Sequence, residues 1–146
     1  MLASAGGVLL LGIAGRKTLM VINQALVIVF LCIMFYATNQ QKDTLELIMV
    51  VAYVCVFEFG PGPIVWLYIS EICNDKATSI GTMVNWAFTL IVSLLAPYLL
   101  EDWLKEYTWI LFAAISAVGL VFHVLVMKET RGLSEEQVKR LYLPGN

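Results

Sequence analysis

An all-α protein of membrane-spanning helices is the fold class that this sequence predicts, and three observations carry the prediction. Hydrophobic residues make up 60% of the 146 residues and charged residues 14%, with a mean hydropathy of +0.84, against roughly 45–50% and 25% in soluble domains. Four apolar runs, 19–37, 45–69, 80–100 and 108–127, reach the ~20 residues that a bilayer core asks of a helix. All nine basic residues lie outside those runs. Residues 1–127 therefore read as a bundle of spans and 128–146 as a tail.

Composition also excludes several functions. A net charge of -2 leaves no basic surplus for nucleic acid. Cys32, Cys55 and Cys73 follow no CxxC or Cys/His spacing, so neither a disulfide framework nor a metal site is expected. With no nucleophile–base pair and no phosphate-binding loop in the pattern, an enzyme is not expected, and no cofactor is implied.

Taken in order, residues 1–14 are apolar and Gly-rich but too short for a full crossing. The basic pair Arg16-Lys17 follows this run instead of preceding it, which argues against a signal peptide and for the end of a longer helix. The run 19–37 is a plain span. Basic residues then orient the chain: Arg16, Lys17, Lys76, Lys128, Arg131, Lys139 and Arg140 fall on one side, and only Lys42 and Lys105 on the other. By the positive-inside rule the first side is cytoplasmic, which puts the C-terminal tail inside.

The run 45–69 carries the chemistry. Glu58 sits near its middle, where a carboxylate costs at least about 2.5 kcal/mol and marks a wet cavity or a partner. Two readings stand: a polar site, or a neutral acid bonded to a neighbouring helix for packing. Directly after it, Pro61 and Pro63 remove backbone donors and Gly60 and Gly62 free the dihedrals, so the helix must bend or unwind. Broken backbone at membrane depth survives only where it is buried in protein or lines a cavity. Trp66, two turns beyond Glu58, has an indole able to stack on a sugar ring or to anchor at the interface.

In the run 80–100, Asn85 and Trp86 offer an amide and an aromatic inside the membrane. The amide serves either a helix–helix bond or a polyhydroxylated ligand. In the last run, His123 is read as a boundary residue, and Trp103, Tyr107 and Trp109 cluster where an aromatic belt belongs. Beyond it, Ser134 and Gln137 have capping-box spacing before Val138, Leu141 and Tyr142, predicting a short amphipathic helix in the tail.

FEFGPGPIVW at 57–66, SEI at 70–72, NW at 85–86, AGRKTL at 14–19 and KETRGLS at 128–134 together resemble the C-terminal half of a major facilitator superfamily sugar porter, close to the facilitative glucose transporters. The resemblance implies a partial fold of that superfamily, from the end of helix 8 through helix 12 and the tail. It implies transport of a hexose such as glucose by facilitated diffusion, across the plasma membrane, with Glu58, Trp66, Asn85 and Trp86 at the sugar. Gly60, Pro61, Gly62 and Pro63 then match the flexible stretch of the gating helix. On the cytoplasmic side Arg16, Lys17, Glu71, Lys76, Glu129 and Arg131 match salt bridges that lock the outward-facing state.

Departures from the pattern are Val65 where a further Pro is common, Ile13 near the place of an acid, Lys128 in place of a Pro, and Lys76 as the cation nearest an expected Arg. Since such a carrier needs twelve helices in two facing halves, the chain is expected to be a truncated part whose N-terminal half is missing. Two alternatives remain open from the sequence: a proton-coupled sugar or polyol symporter of the same fold, or a small membrane protein that binds or regulates a full transporter.

Overall fold

The computed structural model describes residues 15–142, so the partial span expected at 1–14 lies outside the described residues. The described chain is helical and has no strand: α1 (Arg16–Asn39), α2 (Asp43–Phe59), α3 (Pro61–Ile72), α4 (Asp75–Tyr98), a π-helical turn (Leu99–Trp103), α5 (Tyr107–Leu125) and α6 (Glu135–Leu141). Four stretches are long and apolar enough to cross a membrane: α1, α2 with α3 as one stretch, α4 with the π turn, and α5. The first three extend past the apolar runs that predict them at both ends, because helices continue into the polar caps that satisfy their end groups, whereas α5 starts one residue before its run and ends two short of it.

Local sequence explains where they start and stop. Asp43 and Glu46 lie in the first turn of α2, where negative charge favours the helix dipole. Asn74 caps α4 by accepting from the Ala77 amide at 2.9 Å. Near the far end of α4, Pro97 cannot donate to the preceding turn, and the helix widens into the π turn, where Leu104 N donates to Leu99 O at 2.9 Å. Ser134 and Gln137 form a complete capping box at the head of α6.

Helix α1 is the packing centre, touching α2, α3 and α5. Toward its first turns, Leu19 and Met20 pack with Ile64, Tyr68 and Met127. Farther along, Val27, Leu31 and Met34 pack with Ala113, joined by Met49, Tyr53 and Trp109. Polar clasps cross the same seams: Gln24 Nε2 donates to Ser116 O at 3.2 Å, and Trp109 Nε1 to Thr38 Oγ1 at 3.0 Å. By contrast α4 has no buried residue at all.

Candidate functional site

At Gly60 the long second stretch divides. Its backbone (φ -128°, ψ -92°) leaves the helical region and serves as the end of α2 and the start of α3 at once. The Gly60 N–H is shared between Val56 O at 3.2 Å and Phe57 O at 3.3 Å, and its carbonyl accepts from Ile64 N at 3.1 Å. Pro61 and Pro63 fall within the first turn of α3. Helix N–H groups there have no intrahelical partner, so the prolines that end α2 also remove donors that lipid would leave orphaned. Pro61 and Ile64 are buried, which fixes the break against α1.

Glu58 stands one residue before α2 ends. It lies about midway between Asp43 and Ile72, roughly 20 Å from either at 1.5 Å per residue. It is exposed and forms no hydrogen bond or ion pair among the described residues. Trp66, in the second turn of α3, is 40% exposed. On α4, Asn85 and Trp86 are both exposed, Trp86 to 63%. So all four expected ligand-contact residues present their side chains outward from the described bundle.

A second polar group gathers where α1 begins, α3 ends and α5 has passed into the tail. The Arg16 guanidinium pairs with Glu71 Oε1 at 3.1 Å. Thr130 Oγ1 donates to the other Glu71 oxygen at 2.6 Å. Glu129 makes no side-chain pair among the described residues and instead caps α1: Oε1 accepts from Arg16 N (2.8 Å), Thr130 N (3.1 Å) and Arg131 N (3.1 Å), and Oε2 from Lys17 N (3.1 Å). A carboxylate at a helix N-terminus meets both the orphan amides and the positive end of the dipole. Lys17 reaches elsewhere, its ammonium donating to Val124 O at 2.8 Å near the end of α5, where a cation is favoured. Lys76 is exposed in the first turn of α4 and forms no ion pair among the described residues. Arg16, Glu71, Glu129 and the backbone of Lys17 and Arg131 therefore come together, while Lys76 stays apart. A cleft of about 620 Å³ opens beside them, lined by Arg16, Glu71, Cys73, Asn74 and Thr130 among others.

Tyr68, which sequence reasoning passed over, ties the tail to this end together with Lys128 and Tyr142. The Tyr68 and Tyr142 hydroxyls bond to one another. Lys128 N donates to both, at 3.1 Å and 2.9 Å, and its carbonyl accepts from Tyr68 at 2.8 Å. The Lys128 ammonium donates to Leu141 O at 2.6 Å and lies 5.4 Å from the Tyr142 ring centroid. A tyrosine in a membrane span was a legible signal for such a bond; the partner was not. Asn23 and Gln24, adjacent polar residues in an apolar run, were a second signal left unread.

The Sugar (and other) transporter family model matches residues 1–142. A facilitated trehalose transporter, Tret1, of Aedes aegypti is 33% identical over 138 residues, covering 86% of this chain and 17% of that protein. An arabinose-proton symporter of Bacillus subtilis is 28% identical over 143 residues, covering 93% of this chain and 31% of that protein. The chain thus spans well under half the length of these relatives. Among solved structures, a double-tryptophan mutant of XylE superposes with a TM-score of 0.81 at 23% identity, over 88% of this chain and 30% of that one. That likeness shows the fold alone, a helical bundle that matches about a third of that chain.

Proposed function

Because this chain belongs to the Sugar (and other) transporter family, we propose that it forms part of one wall of a carrier moving a hexose such as glucose by alternating access. It is a multi-pass membrane chain of a transporter family and not an enzyme. The observation that carries the reading is Glu58: a carboxylate at membrane depth, unpartnered among the described residues, beside a helix broken at Gly60. Such an acid needs hydroxyl donors or water to offset its desolvation. A sugar supplies hydroxyls, and Trp66, in the second turn beyond the break, supplies a face for its ring. Asn85 and Trp86 extend the same wall.

A broken helix beside the ligand lets binding and access be coupled, since half-helices pivot more easily than whole ones. The Arg16–Glu71 pair, with Glu129 on the head of α1, is the lock of one state. Pairs of this kind are worth little singly, but made in one state and broken in the other they bias the equilibrium. On this reading the end bearing Arg16, Glu71 and the tail is cytoplasmic, the membrane is the plasma membrane, and the facing half of the carrier is supplied by sequence beyond these residues. The bare surface of α4 supports that last point.

In the native polypeptide that contains this sequence, Glu58→Ala and Trp66→Ala are each expected to lower hexose uptake about tenfold or more at unchanged surface expression. Unchanged uptake sinks the site. Coupling to protons is the second reading, favoured by the similarity to a protein named an arabinose-proton symporter. Uptake that collapses when a protonophore dissipates the pH gradient selects it over facilitated diffusion.

A further inference from the structure

Asn23 is one of three buried polar side chains among the described residues, with Thr108 and Thr130, and it is 9% exposed. Its Nδ2 donates to Leu19 O at 2.8 Å, one turn back on α1, so the carboxamide is held against its own helix. Opposite it lies Gly60. A Cβ built on Gly60 would fall on the Asn23 carboxamide and come within 2.7 Å of Asn23 Cβ. Backbone at the break and side chain on α1 are thus in direct contact, with no room for one methyl group between them.

The contact sits at the point where α2 becomes α3. Around it, Pro61 and Ile64 are buried, and Leu19, Met20, Ile64 and Tyr68 form one cluster, so α3 is seated on α1 as well as on the break. Rotation of the half-helices about Gly60 toward α1 is blocked by a side chain fixed at both its Cβ and its amide nitrogen. Asparagine is costly at membrane depth, and the bond to Leu19 O offsets only part of that cost. An alanine would fit without either penalty, but it would leave the break unsupported.

We propose that Asn23 is a positioning residue for the hinge: the stop against which Gly60 rests, setting the angle between α2 and α3 and hence where Trp66 stands relative to Glu58. The proposal rests on the transport reading for its consequence, though not for its geometry. Size at the two positions is reciprocal. Gly60→Ala forces the half-helices apart from α1, and Asn23→Gly makes the space that alanine needs.

Two native cysteines flank the hinge, Cys55 on α2 and Cys73 just past α3. They lie about 27 Å apart along a straight helical path at 1.5 Å per residue. Spin labels at these sites, in the native polypeptide with its other cysteines replaced by serine, report the hinge angle without reference to any sugar. Gly60→Ala is expected to shift the label distance distribution and lower uptake about tenfold, and Gly60→Ala with Asn23→Gly to restore both to within about twofold of the parent. Asn23→Gly alone, which adds no atom, is expected to broaden the distribution. It should also raise the half-saturating sugar concentration about threefold with a maximal rate within about twofold, since it displaces Trp66 and leaves Glu58, Asn85 and Trp86 in place. An unchanged distribution in Asn23→Gly, or a double variant no closer to the parent than Gly60→Ala, overturns the proposal. If the distances respond as stated while the parent carries no sugar, the stop stands and the transport reading falls.

Discussion

Gly15 and Gly81 both border or lie inside membrane helices, yet an added methyl group has opposite consequences at the two. At Gly15 the new Cβ would land on the Glu129 carboxylate, 3.0 Å from Oε1 and nearer still to the other oxygen, displacing the group that caps α1. At Gly81, inside α4, nothing lies within 4 Å of the added Cβ. Gly15→Ala is expected to destabilise by about 1–3 kcal/mol through lost bonds to the amides at the head of α1, which are partly buried. Gly81→Ala is expected to stabilise by about 0.5–1 kcal/mol, because glycine loses the most backbone freedom in a helix. Melting temperatures of the purified polypeptide in one detergent check both, and a drop for Gly81→Ala with a rise for Gly15→Ala refutes the pair. The sequence made Glu129 conspicuous through KETRGLS, but as a partner for side-chain cations. Its actual use, on four backbone amides, is a matter of where α5 and the tail bring it, which local pattern does not encode.

At the level of elements, helix positions were legible and helix ends less so. Hydropathy over 20-residue windows marks a span because every turn in lipid must be apolar, and all four long stretches correspond to such runs. The GPGP segment announced the break, since two prolines and two glycines cannot continue a helix in step. Hydropathy could not announce that α4 would widen into a π turn past Pro97. The short helix α6 is the clearest local prediction. Both reciprocal bonds of its capping box are present, Ser134 N to Gln137 Oε1 at 2.9 Å and Gln137 N to Ser134 Oγ at 3.4 Å. Ser134→Ala is expected to cost this helix about 1 kcal/mol. The checking measurement is hydrogen exchange of the amides after Ser134, expected to speed up about fivefold by the exponential relation of energy to population. Exchange at the parent rate would show that the Tyr68–Tyr142–Lys128 clasp alone holds the tail.

Over the whole molecule the notable asymmetry is between α1, enclosed by its neighbours, and α4, with nothing buried. A helix apolar enough to span a membrane with none of its residues buried is either lipid-facing throughout or waiting for other helices. Asn85 on that surface favours the second, because an amide facing lipid has no partner. Sidedness belongs to this scale too. With seven basic residues on one side against two on the other, the proposed orientation puts Cys73, partly exposed beside the polar cleft, in the cytoplasm. A membrane-impermeant maleimide is expected to label Cys73 only after intact cells are permeabilised, and labelling of intact cells would reverse the topology.

What the sequence determined by itself was the set of spans, the break within the second, and the identity of the polar residues near it. Those follow from solvent: lipid demands apolar length, and proline lacks a donor wherever it is put. Only the tertiary structure decided which polar groups meet. Arg16 and Glu71 are 55 positions apart and Arg16 and Glu129 are 113 apart, and they come together because α1, α3 and the end of α5 share one end of the bundle. The same packing brings Asn23 against Gly60. Each of these contacts depends on how helices cross, and crossing is set by the fit of all their surfaces at once, which no window of one helix contains.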